Sequence, residues 1–568
     1  MTPVIYAGLC LAGGGLAVLL LHRTWLRLQL SRAKHRSLAG HARLSRRLAS
    51  WLPFYDYDEG QFFASDGAPV EVVAQRRAGF RELAATYAQR FAVTAGQTQE
   101  IEPAISDLQF TSRYRVPFQF SAIVRRYFKA GSLLASSAGR TVTDLDGNQF
   151  YDLTGSYGVN VFGNDFYKGC IERGGERVRA LGPVLGAYHP VIADNVRRLR
   201  EISGLDEVSF HMSGTEAVMQ AVRLAHYHTG RRYLVRFCGA YHGWWGDVQP
   251  GPGNPIAARD TLTLNDIDER ALAVLRSRRD IACVLVNPLQ ALHPNRPAPV
   301  DSSLVDSSRS AGLDRAAYSN WLQRLREVCT ERGIVLIFDE VFVGFRIARG
   351  GAQEYFGVRA DMVTYGKTLG GGLPVGVVCG RRDLMQRYRA DRPADICFAR
   401  GTFNSHPYVM GAMHEFLLHL ESEPATALYA ELDEVWNERA RRVNTQLQLA
   451  GLPLRVAHLS SIWTFCYLLP GRYNWMLQYY LRVQGLALSW VGTGRCIFSL
   501  DFTDDEFAEV AARIVAAATR MQHDGWWWSD PQLTNRAIRR RVLLELLQAR
   551  WRPMGSISSP RKRYSGAL

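Results

Sequence analysis

Between about Val191 and Gly380, short apolar runs alternate with stretches of helical period. Ile334–Phe338 (IVLIF) has five apolar residues in succession, the length and make-up of a strand buried on both faces. Met362–Tyr365 reads as a second strand, and EVSF (from Glu207) and YLVRFCGA (from Tyr233) as two more. Strands alternating with helical patterns predict a mostly parallel sheet covered by helices, an α/β fold. Upstream, TVTDLDGNQFYD alternates apolar and polar positions around Asp146-Gly147-Asn148, which predicts a hairpin with a tight turn. Downstream, residues 401–533 have a mixed pattern suited to a smaller domain, with an amphipathic helix at Phe502–Met521. Val70–Phe91 predicts a further helix. Val4–Leu21 stands apart as 18 uncharged apolar residues, the short end of a membrane span.

Charge sharpens that last expectation. The chain of 568 residues carries a formal net charge of +15, but residues 1–50 and 534–568 each hold a net +8. The body is therefore near neutral, which argues against a nucleic-acid-binding enzyme. Basic residues follow the apolar run (Arg23, Arg27, Arg32, Lys34) and none precedes it. The positive-inside rule then predicts a single-pass anchor in the cell (inner) membrane, with the catalytic body cytoplasmic. Arg27–Ala49 interleaves leucine with arginine, as a headgroup-lying helix or a helical neck would. Trp526-Trp527-Trp528 beside Arg536 and Arg539–Arg541 has the composition of a membrane interface, or of a docked helix with a basic tail. The nine cysteines are scattered, with no CxxC and no His/Cys cluster at zinc spacing. They read as reduced core residues, and no metal is expected.

Candidate chemistry gathers at the strand ends. Asp339 and Glu340 close the strand at Ile334–Phe338, where ligands bind in open α/β sheets. Lys367 follows the next strand and precedes Gly370-Gly371-Gly372, which allow a flat ligand close approach. An acid and a lysine so arranged suit pyridoxal phosphate: the carboxylate keeps the pyridinium nitrogen protonated, and the lysine holds the aldehyde as a Schiff base. Ser213-Gly214-Thr215 follows a strand and opens a helix, where a side-chain cap leaves N–H groups facing an anion.

DEV, GFR, GAQEYFGV and a lysine followed by GGGLPVG together resemble the class III aminotransferases, and the glutamate-1-semialdehyde aminomutases most of all. The resemblance spans roughly residues 112–520. It implies a fold-type I transferase, with residues 112–165 and 401–533 as the small domain and 166–400 as the large cofactor-binding domain. Residues 1–50 would be anchor and juxtamembrane segment, 51–111 an N-terminal extension, and 534–568 a basic tail. It also implies roles for single residues. Ser213, Gly214 and Thr215 form the phosphate cup, and Thr402 reaches the phosphate of a neighbouring subunit, so the enzyme is a homodimer with shared sites. Tyr241, next to His242, stacks on one face of the ring and Val341 packs on the other. Asp339 pairs with the ring nitrogen, and Lys367 is both Schiff-base lysine and proton carrier. Ser156 and Tyr157 face substrate; Trp244, which makes its side of the site bulky and aromatic, is a further substrate candidate of this chain's own, and Arg346 either holds a substrate carboxylate or serves as a cap or ion-pair residue. The chain departs from the family at Asn287, where a glutamate is usual, and at Phe342, where relatives carry a smaller or polar residue. It also departs at Trp244-Trp245 and in the Pro/Ser-rich insertion 291–312, a candidate lid.

These readings converge on a membrane-anchored aminotransferase that passes an amino group from a donor to an aldehyde or ketone, one of hydrophobic or lipid-like character. An aminomutase acting within one molecule is the alternative. A non-catalytic membrane scaffold that keeps the fold is the alternative of another class.

Overall fold

Continuous apolar runs become the centre of a seven-stranded sheet. The strands are β1 (Glu207–His211), β2 (Tyr233–Phe237), β3 (Thr261–Leu264), β4 (Ile281–Val286), β5 (Val335–Asp339), β6 (Met362–Gly366) and β7 (Gly376–Gly380). Their order is β1-β7-β6-β5-β4-β2-β3. All neighbours are parallel except β7, which runs antiparallel to both β1 and β6. Every residue of β4, β5, β6 and β7 is buried, because helices cover both faces. The computed structural model describes residues 3–35, 41–129, 131–249, 253–254, 256, 258–288, 314–489 and 494–551.

Helix Gly214–Thr229 leaves the end of β1 and packs across β7, β6 and β4. Ser213 caps its start by accepting from the Glu216 N–H, and Gly230 closes its end in the left-handed region. The predicted hairpin pairs Thr143 with Gln149. Strand Leu486–Ala487 joins it in parallel, tying the early chain to the C-terminal part. There, strands Leu454–Leu459, Ile462–Tyr467 and Arg495–Ile497 form an antiparallel sheet. The predicted amphipathic helix runs Asp504–His523, with a capping box between Thr503 and Glu506.

The membrane expectations need correction. Among the described residues, no helix is long and apolar enough to cross a membrane, so the single-pass anchor and the localisation built on it are set aside. Val4–Leu21 belongs to a longer helix, Pro3–Ala33, that continues through Arg23, Arg27 and Arg32. The side chains of residues 1–13 lie outside the described residues. The far end of the helix docks on the enzyme body rather than on headgroups. Ala33 is buried and its carbonyl accepts from the Asn265 N–H at 2.8 Å, while Ser277 donates to Gln29 Oε1 at 2.8 Å.

The tryptophan run is likewise internal. Trp526 and Trp527 are buried, and Trp526 Nε1 donates to Tyr480 Oη at 2.7 Å. They close over an aromatic cluster built with the extension, in which Phe62 meets Phe80, Phe120 and Trp475 edge-on and Phe120 meets Trp475 tilted. Residues of the predicted basic tail form helix Asn535–Trp551, fastened through Glu545. Arg472 donates to Glu545 Oε1 at 2.8 Å, pairs with Asp66 at 2.7 Å and donates to Tyr57 Oη at 2.7 Å. One buried guanidinium thus joins the extension, the body and the last helix.

Candidate active site

Strand ends bring the acid and the lysine together. Asp339 closes β5 and stands opposite Thr364 of β6, three residues before Lys367. Its carboxylate is buried and fully engaged on one side: Oδ1 accepts from the Val341 N–H at 3.1 Å and from Thr364 Oγ1 at 3.3 Å. Oδ2 meets Nδ1 of the buried His242 at 2.7 Å. Burial holds the imidazole below its ordinary pKa, opposed by the bond to Asp339. A neutral ring donating from Nδ1 gives Asp339 Oδ2 its partner, while the buried Nε2 has no hydrogen-bond partner among the described residues. Glu340 turns the other way. Its oxygens accept from the Ala352 and Gln353 N–H groups at 2.6 and 3.2 Å, holding the start of helix Gly351–Phe356, and burial raises its carboxyl to about 8.

Lys367 sits in the left-handed region at φ 48°, with Nζ 5.5 Å from the centre of the Phe342 ring. Burial lowers its amine to about 8. The Asp339 charge opposes that shift, and Arg495 and Arg346 reinforce it. Ser156 and Tyr157 also have positive φ, 45° and 57°. Their loop is pressed against the lysine: a Cβ on Gly158 would lie 2.7 Å from the Phe342 ring and 3.1 Å from Lys367 Cδ. Three non-glycine residues held in a costly conformation around one amine mark a site where the fold imposes geometry.

Ser213, Gly214 and Thr215 present a helix start to the same region. Among the described residues, the Gly214 and Thr215 amides make no hydrogen bond, as expected of a helix's first N–H groups. Val341 packs against Gly214, and a Cβ on Gly243 (φ 95°) would lie 2.5 Å from Thr215 Oγ1. The helix start, the Tyr241–Gly243 turn and the end of β5 therefore form one wall. An anion seat, a carboxylate for a ring nitrogen and an amine for an aldehyde are the donor set pyridoxal phosphate requires.

Four sequence expectations come out differently or remain apart. Arg346 is fully buried and donates to Phe498 O (2.7 Å), Asn160 O (2.7 Å) and Ser461 Oγ (3.1 Å), so it braces the fold and does not hold a substrate carboxylate. Thr402 lines a separate cleft of about 700 Å³ with Tyr188, Ser209 and Arg387. Tyr241 and Trp244 are 52% and 74% exposed, leaving the outer wall of the site uncovered in a single chain. The candidate lid, 291–312, lies outside the described residues. Asn287, where the family has glutamate, is buried beside Tyr241, with Nδ2 3.5 Å from the Tyr241 carbonyl. Sequence reasoning missed Arg495, which lies over the Phe342 ring at 5.9 Å and acts on Lys367. It lies on the short strand Arg495–Ile497, paired with Thr464, where no sequence motif marks it.

The lowered amine has a measurable consequence. Cofactor-free protein should reload pyridoxal phosphate at a rate that rises with pH around a midpoint near 8, since only the neutral amine attacks an aldehyde. Visible absorbance after mixing reads this directly. A midpoint above pH 10 would mean that Lys367 is not enclosed as described.

Comparisons with known proteins bear on the family and the fold. The pattern described as Aminotransferase class-III matches residues 129–517. A glutamate-1-semialdehyde 2,1-aminomutase of Alkaliphilus oremlandii is 33% identical over 340 residues, covering 56% of this chain and 74% of its own. That of Geotalea daltonii is 30% identical over 395 residues, covering 65% and 85%. Among solved structures, a glutamate-1-semialdehyde aminomutase from Pseudomonas aeruginosa PAO1 aligns over 79% of this chain and 99% of its own, with TM-score 0.63 at 18% identity. A β-phenylalanine aminotransferase from Variovorax paradoxus aligns over 78% and 96%, with TM-score 0.60 at 23% identity. Both structures share the fold.

Proposed function

This chain belongs to the class III aminotransferase family and is a pyridoxal-phosphate-dependent enzyme, and on that premise we propose an aminotransferase that passes an amino group from an amino donor to a hydrophobic aldehyde or ketone. The observation that carries the reading is the pair at adjacent strand ends, an engaged Asp339 carboxylate and a Lys367 amine lowered to about 8. When bound, the cofactor supplies an electron sink for the carbon that loses its proton.

In this reading the Gly214 and Thr215 amides, with Ser213 and Thr215 hydroxyls, hold the phosphate at the helix start. Asp339, fixed by His242, Thr364 and the Val341 amide, offers its negative charge to the ring nitrogen. Tyr241 and Val341 confine the ring. Lys367 Nζ, half neutral near pH 8, takes a proton from the substrate carbon and returns it, the match of pKa to task that general acid–base catalysis favours. Thr402 serves the phosphate of a second copy, in a homodimer that also covers the exposed Tyr241 and Trp244. The domain division at 166–400, with small-domain parts on either side, belongs to the same proposal.

Support for a hydrophobic acceptor is Phe342, a nearly buried ring directly beside the lysine amine. Arg495 on the same ring suits a carboxylate of donor or acceptor. Amino transfer within one molecule is the second reading, favoured by the likeness to the two glutamate-1-semialdehyde 2,1-aminomutases.

The test is a donor panel added to the loaded enzyme while its visible spectrum is followed. One or more amino donors should convert the cofactor to its amino form in a single half-reaction, and an aromatic or long-chain aldehyde should then restore the starting spectrum. Conversion by no intermolecular donor, with turnover of a diamino or amino-aldehyde compound alone, would replace this reading with the intramolecular one.

A further inference from the structure

We propose that the N-terminal extension carries a second binding site, for a small carboxylate borne on an apolar body, separate from the catalytic centre. Helices Ala92–Ile101, Ser106–Tyr114 and Phe118–Tyr127 surround a cavity of about 250 Å³. Arg115, Arg125 and Lys129 line it, against a single carboxylate, Glu102. Lys129 Nζ donates to Gln99 Oε1 at 3.1 Å. Among the described residues, neither Arg115 nor Arg125 makes a side-chain hydrogen bond or ion pair. Asp56 feels the charge of Arg125 and Glu102 shares the cavity, but three cations against these carboxylates leave a positive excess, and an oxyanion placed among them offsets it and gains charge-assisted hydrogen bonds.

A second observation comes from the opposite wall. Tyr479 is 1% exposed, lines the cavity, and its hydroxyl has no hydrogen-bond partner among the described residues. Buried polar groups are almost always paired, so a buried hydroxyl left without a partner on a residue that lines a cavity calls for an acceptor brought there. The charge of Arg115 acts on that same hydroxyl, so the two groups address one point. Val116, Val124 and Phe128 form an apolar strip beside the polar Thr98, Gln99 and Ser112, against which a small hydrocarbon or aromatic body can lie while its carboxylate meets the cations.

Most of the site lies ahead of the family match. The family match begins at residue 129, so the lining residues before Lys129 lie in the added segment and only Lys129 and Tyr479 fall within it. The inference therefore stands whichever substrate the catalytic centre takes.

Benzoate is the probe, titrated calorimetrically into the full chain loaded with pyridoxal phosphate, with inorganic phosphate in a parallel arm. Saturable binding of benzoate is expected, with phosphate weaker and the cofactor's visible band unchanged. Arg115→Ala should weaken benzoate about tenfold, the scale of one lost charge-assisted bond. Tyr479→Phe, which removes a single oxygen, should weaken it several-fold and stands as the second variant should Arg115→Ala fold poorly. Equal affinity in both variants, binding that shifts the cofactor band, or binding of phosphate alone would overturn the proposal. So would the absence of saturable binding.

Discussion

Replacing Lys367 with alanine is expected to cut turnover by about 10³-fold or more while the protein still folds. General acid–base transfer by a positioned side chain contributes roughly 10²–10⁴-fold, and this amine has the further task of holding the cofactor aldehyde. The fold should tolerate the loss because the amine is enclosed at a cost: burial lowers it from 10.5 to about 8. The sign of the linkage follows from that direction. Between pH 8 and 10.5 the unfolded lysine binds a proton that the folded one has released, so cofactor-free stability gains a component that rises with pH across this window. It is lost as pH falls through about 8. The alanine variant should lack that component. Thermal melts of cofactor-free protein between pH 7 and 10.5 measure it, alongside steady-state rates. A variant within tenfold of the parent rate would remove Lys367 from the chemistry.

Asp339→Asn is expected to lower turnover by roughly 10²-fold or more, the scale at which removing one preorganised electrostatic partner shows in the rate. An amide keeps the shape and can still accept from Thr364 or the Val341 amide, so binding of the cofactor should largely survive. What disappears is the negative charge. His242 Nδ1 loses a charged acceptor, and the ring nitrogen loses the partner that keeps it protonated. The same substitution reaches Lys367, because the Asp339 charge is what holds that amine up against burial. The pH midpoint for cofactor reloading should therefore move below 8 in the variant. A midpoint that stays in place, with an undiminished rate, would mean that Asp339 acts on neither the ring nor the lysine.

The two carboxylates at the end of β5 illustrate how far sequence reading reaches. Asp339 and Glu340 are adjacent and chemically alike, and strand alternation says only that they point to opposite sides. Folding turns one to His242 and the other to the amides at 352 and 353. Arg346 shows the same limit. Its type suits a substrate carboxylate, yet the carbonyls of Asn160 and Phe498, far away in sequence, converge on it and use its donors. Trp526 and Trp527 look like an interfacial girdle beside arginines, until the extension supplies Phe62 and Phe63 against Trp526 and the body supplies Tyr467 against Trp527.

By itself the sequence determined whatever depends on neighbours a few residues away. Apolar runs set β4, β5 and β6, Ser213 and Gly230 set the bounds of the helix after β1, and Asp146-Gly147-Asn148 set the early hairpin. The order of Asp339, Lys367, Ser213 and Tyr241 was enough to identify the cofactor by resemblance. The tertiary structure decided which polar groups are already engaged, how far the lysine amine is lowered, and that the first helix and the tryptophans pack on the body. Those outcomes depend on contacts between segments hundreds of residues apart, such as Arg472 with Asp66. Burial and pairing are properties of the assembled interior, and no local pattern of hydrophobic and polar positions specifies them.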